Sequence, residues 1–101
     1  MSTLSPAQSI NPANGQLLAS YAWANADDVA AAIAQSRQGF DIWRRTPLAD
    51  RAAGLRALAG AIRHRADEMA LCITREMGKP VLQARAEVAK SADLCDWYAE
   101  H

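Results

Sequence analysis

Bulk is what this sequence lacks. Of its 101 residues one is phenylalanine, and Leu, Ile, Val and Phe together supply only 18. Half of the residues are hydrophobic, yet 23 of those 51 are alanine. Low bulk with a large net charge would mark a disordered chain, but here 11 basic residues balance 11 acidic ones. The composition therefore predicts an ordered, helical, thinly cored chain of about one small domain. At this size roughly two-thirds of the unfolded surface can be buried. A thin core leaves some apolar faces for a partner.

Other absences narrow the function. With no excess of Lys and Arg, nothing supplies the charge that neutralises phosphates, which argues against a nucleic-acid partner. No apolar run approaches the ~20 residues that cross a bilayer, so no membrane partner is expected either. Met1 to Gln8 lacks the basic start and apolar stretch of a secretory signal. The two cysteines, Cys72 and Cys95, form no CxxC, and the histidines are only His64 and His101. That is neither a zinc spacing nor a disulfide framework, and a reduced, cytoplasmic setting is expected. There is no GxGxxG or GxxxxGK(S/T) loop to cradle phosphates, no GxSxG and no HExxH.

What is present is helical punctuation. Residues 1–8 read as a disordered tail and residues 9–24 as a β-hairpin. Ser9-Ile10-Asn11 is extended, Pro12-Ala13-Asn14-Gly15 has turn chemistry, and Gln16 to Tyr21 is a second strand. Residues 25–101 read as about four helices. Asn25 caps the first, which runs from Ala26 to Trp43 with Val29, Ala32, Ile33, Ser36, Phe40 and Trp43 on one face. Thr46 is the expected cap of the second, with Pro47 at its first position and Leu55, Leu58, Ala59 and Ile62 inward. The third starts at Ala66-Asp67, turns Met69, Cys72, Ile73 and Met77 inward, and stops at Gly78. Pro80 opens the fourth, whose narrow face is Val81, Ala84, Val88, Ala92, Cys95 and Ala99. No stop signal precedes His101, so the chain is expected to end within or just after a helix.

None of these residues composes a self-contained active site. Cys72 and Cys95 fall on faces expected to be buried, where a free cysteine is inert. His64 sits in a basic helix end, Arg63-His64-Arg65, as a partner of the helix dipole. Glu87 and Lys90 have the spacing of a weak surface pair. Trp23, Trp43 and Trp97 are candidate core or interface anchors.

Five segments together resemble the N-terminal region of the NAD(P)-dependent aldehyde dehydrogenases. Ile10-Asn11-Pro12-Ala13-Asn14-Gly15 is similar to their opening turn. Asp27-Asp28-Val29 with Ala31, Ala32, Phe40, Asp41, Ile42 and Trp43 resembles their first helix, and Arg51, Leu55 and Leu58 the next. Arg75-Glu76-Met77-Gly78-Lys79-Pro80 with Ala84 and Glu87 is the most specific match. Asp96-Trp97-Tyr98-Ala99-Glu100 looks like the end of the following helix. The order is correct over residues 9–101. The wording from Thr74 to Pro80 and from Glu87 to Ser91 most resembles the bacterial succinate-semialdehyde dehydrogenases among them.

The resemblance implies a mostly α segment, a hairpin and about four helices flanking the α/β nucleotide-binding domain of a longer enzyme. Family members attack an aldehyde with a cysteine and form a thiohemiacetal. Hydride passes to NAD or NADP, and an activated water releases the carboxylate. Neither Cys72 nor Cys95 matches the catalytic motif, so no catalytic or cofactor-binding residue is expected here. The chain alone is expected to be inactive and to bind no cofactor, its partner being the remainder of a parent enzyme that forms a homo-oligomer, dimer or tetramer. Two roles carry over from the family: a structural monovalent cation at the Ile10 carbonyl and Glu76, and Lys90 near the substrate entrance. The reading that competes with all of this is a free-standing helical protein-interaction module, suggested by the alanine stripe and the tryptophans.

Overall fold

A computed structural model describes residues 4–101. Its elements follow the order β1 (Ala7–Ile10), β2 (Leu17–Tyr21), α1 (Ala26–Trp43), α2 (Leu48–His64), α3 (Ala66–Met77) and α4 (Val81–Glu100). The hairpin and four helices expected from the sequence are all there. The first strand begins at Ala7, so Ala7 and Gln8 belong to the hairpin and not to the tail assigned to residues 1–8. The part of that tail at residues 1–3 lies outside the described residues.

The hairpin is antiparallel, with Ala7 opposite Tyr21 and Ile10 opposite Leu17, and its register shifts between Ser9 and Ile10. Two asparagines shape the turn. The side-chain oxygen of Asn11 accepts from the Ala13 amide, and that of Asn14 from the Gln16 amide, each at 2.9 Å. Such contacts mimic a backbone turn, and Gly15 supplies the positive φ of 73° that the chain needs to reverse. Trp23 ties the far end of the hairpin down by donating its indole N–H to the Ser5 carbonyl at 2.7 Å.

Asn25 caps α1 as expected, and the cap is reciprocal. Its side chain accepts from the Asp28 amide at 2.8 Å, while Asp28 accepts from the Asn25 amide at 3.0 Å. Thr46, by contrast, does not cap α2. Its hydroxyl donates back to the Ile42 carbonyl at 3.1 Å, and Pro47 takes the cap position without a side-chain hydrogen bond. The oxygen is spent on closing α1, one turn before α2 begins.

The core lies along α4, which packs against both α2 and α3. It consists of Ala59, Ala70, Ala84, Val88 and Ala92, with Ile62, Ala66 and Ile73 packed against part of it. Alanine lets helix axes approach closely but buries little area, so the bundle is thin by construction. Of the four residues expected inward on α3, Ile73 packs against the core, but Met69, Cys72 and Met77 do not. Cys72 is exposed and Met77 is 76% exposed, whereas Ala70 is fully buried. The close α3–α4 approach is filled by Ala66, Ala70 and Ile73 against Ala84 and Val88, and the longer Met69 and Met77 side chains sit on the rim.

At α1 nothing is buried: Val29, Ile33, Phe40 and Trp43 all remain about half exposed or more. Trp43 lines a shared cavity with Leu48, Arg51 and Leu55 of α2. The radius of gyration is 18.0 Å, against about 13 Å for a compact domain of this length. With extents of 46 × 41 × 16 Å the chain forms a slab one helix layer thick. Among the described residues no helix is long and apolar enough to cross a membrane.

Candidate functional site

The hairpin turn meets the α3–α4 junction, and the chemistry of the chain is gathered there. Gly78 ends α3 in the left-handed region, φ 73° and ψ 12°, with its amide bonded to the Thr74 carbonyl at 2.9 Å. This is the helix stop expected of it. Pro12 lies directly over this glycine: a Cβ on Gly78 would stand 3.0 Å from the Pro12 Cγ. The position thus demands glycine twice, for its backbone angle and for the ring above it.

Two residues earlier, Glu76 holds the hairpin. Ser9 donates its hydroxyl to the Glu76 Oε1 at 2.6 Å, a short bond of the kind made to a charged acceptor. The Cys72 thiol lies 3.8 Å from the other carboxylate oxygen. An open cavity of about 310 Å³ runs beside this cluster, between Leu18, Ala19 and Tyr21 of β2 and Leu71, Cys72 and Arg75 of α3. Beyond Gly78, Lys79 donates to Glu87 and so pins the start of α4 to the junction. Glu87 therefore pairs with Lys79 and not with Lys90, as its helical spacing had suggested.

Of the two positions expected to hold a cation, Glu76 bonds the residue next to Ile10. Ile10 is the last residue of β1, and that neighbour is Ser9. The donor set suits a hard cation, being a carboxylate and backbone oxygen. No group of three or more His, Cys, Asp or Glu side chains that could hold a metal occurs among the described residues. Lys90 stands apart: it is exposed on α4 and makes no ion pair among the described residues. Cys95 is half-buried, and neither cysteine is in a disulfide.

Three contributions were invisible in the sequence: the Ser9 hydroxyl, the Cys72 thiol, and the Pro12–Gly78 contact. Ser9 and Glu76 are 67 residues apart, and no helical or strand period links positions that far removed.

The remaining charges hold helices in place. Arg63, in the last turn of α2, reaches Asp93 at 2.9 Å and Asp96 at 2.7 Å on α4. Hydrogen bonds to Asp96 and then Asp93 raise its pKa further above an already high value. Arg65 grips Glu68 with two hydrogen bonds of 3.0 and 2.7 Å, and that bonding holds the Glu68 carboxyl below the ordinary carboxylate range.

The slab leaves the apolar face of α1 uncovered. The chain belongs to the aldehyde dehydrogenase family, whose model matches residues 2–101. It is 56% identical, over 98% of its length and 22% of the other's, to the NAD(P)+ succinate semialdehyde dehydrogenase of Escherichia coli strain K12. It superposes on an NAD-dependent aldehyde dehydrogenase from Sinorhizobium meliloti with a TM-score of 0.88 at 35% identity. That match covers 95% of this chain and 20% of the other. A succinate-semialdehyde dehydrogenase from Burkholderia pseudomallei matches with a TM-score of 0.87 at 31% identity, over 95% of this chain and 20% of the other. The chain thus spans about a fifth of the length of these relatives.

Proposed function

We propose that these residues are the N-terminal part of an NAD(P)-dependent aldehyde dehydrogenase whose substrate is succinate semialdehyde. The observation that carries this is the 56% identity with the Escherichia coli enzyme, sustained over 98% of the chain. In the complete protein an aldehyde, NAD(P)+ and water give a carboxylate, NAD(P)H and two protons. A cysteine outside these residues supplies the nucleophile through a thiohemiacetal, and NAD or NADP, held elsewhere, accepts the hydride. The 101 residues alone bind no cofactor and catalyse nothing.

What this chain contributes is placement. The exposed faces of α1 and α4 pack on the nucleotide-binding domain, and the hairpin is fastened to α3 through Ser9 and Pro12. The Ile10 carbonyl and the Glu76 carboxylate hold a monovalent cation that braces the junction, with further ligands from the rest of the protein. Lys90 lies at the substrate entrance, where its charge favours an acidic aldehyde. The complete enzyme is a cytoplasmic homo-oligomer, dimer or tetramer.

The test is an assay of the protein purified at native length from its own gene. NAD(P)H formation with succinate semialdehyde, absent from the isolated 101 residues, is the expected result. A native product of 101 residues that melts cooperatively as a monomer and oxidises no aldehyde overturns it. That outcome would favour the second reading, a free-standing interaction module, for which the exposed apolar face of α1 is the motivating observation.

A further inference from the structure

We draw no further inference here: the strongest candidate, the cavity of about 510 Å³ where Trp43, Leu48, Leu55 and Tyr98 surround the unpartnered Nε of Arg51, opens beside the last residue of the chain, and nothing in the structure shows what covers it.

Discussion

Pro12 rests on Gly78, so close that a methyl group on the glycine would stand 3.0 Å from the proline ring. Two turns far apart in sequence are thereby locked face to face, and the lock admits no side chain. Gly78→Ala is expected to cost about 1–2 kcal/mol from the left-handed backbone angle alone, with the contact adding to it. Gly78→Val is expected to cost more, since a β-branched residue tolerates that angle least. Urea denaturation of the native-length protein measures both. If Pro12→Ala relieves part of the Gly78→Ala loss in a double-mutant cycle, the ring is responsible; strict additivity would show that only the backbone angle matters.

How much of this was readable beforehand depended on range. α1 was legible to its last residue, because an amphipathic run of 18 residues with a reciprocal asparagine cap is a purely local signal. The inward face of α3 was not. Periodicity gives the spacing of a stripe, and both the expected Met69–Cys72–Ile73–Met77 stripe and the observed Ala66–Ala70–Ile73 stripe have helical spacing and share Ile73. The choice between them is made by α4, whose Ala84 and Val88 come so near that bulk is pushed outward. Thr46 misled for a related reason: its hydroxyl had two nearby helix ends to serve and served the earlier one. At the candidate site, Glu76 and Ile10 were legible only through family resemblance. The bond that unites their neighbourhoods spans 67 residues.

Glu76→Gln tests the proposed cation. In the native-length protein, replacing choline chloride by sodium or potassium chloride at equal ionic strength should raise Tm. The increment should vanish in Glu76→Gln, which keeps the size of the side chain but loses its charge. Ser9→Ala should lower stability by about 1 kcal/mol, as expected for one partly exposed hydrogen bond to a carboxylate. An unchanged cation increment in Glu76→Gln would remove the carboxylate from the site.

Trp43 separates the slab from its proposed surroundings. Trp43 is 51% exposed here, so Trp43→Ala in the isolated 101 residues removes only partial burial and should cost about 1 kcal/mol. At native length, with the α1 face covered, the same change should cost roughly 3–5 kcal/mol. Parallel denaturant titrations of the two proteins make the comparison. Equal losses would mean that nothing packs on α1.

The Arg65–Glu68 bridge makes a small acid-sensitive contribution at the start of α3. Because the bridge lowers the folded carboxyl below its unfolded value, its stabilisation is present above the ordinary carboxylate range. It is lost as pH falls through the folded value. Both groups are exposed, so the effect should be modest and should shrink in high salt. Carbon-detected NMR titration should place Glu68 below the ordinary carboxylate range, and Arg65→Gln should return it toward that range.

Lys90 carries the proposed preference for an acidic aldehyde, and charge reversal is its sharpest test. A solvent-exposed lysine that guides an anion acts through long-range attraction, which raises the encounter rate and leaves the chemical step alone. Lys90→Glu at native length should therefore raise KM for succinate semialdehyde several-fold with little change in kcat. A neutral aldehyde of similar length should show no change in either constant. The difference between the two substrates should fade as salt rises toward 1 M, where the screening length falls to about 3 Å. Were the lysine only one of many solvated charges on α4, both substrates would respond alike, and the preference would have to arise from residues outside this chain.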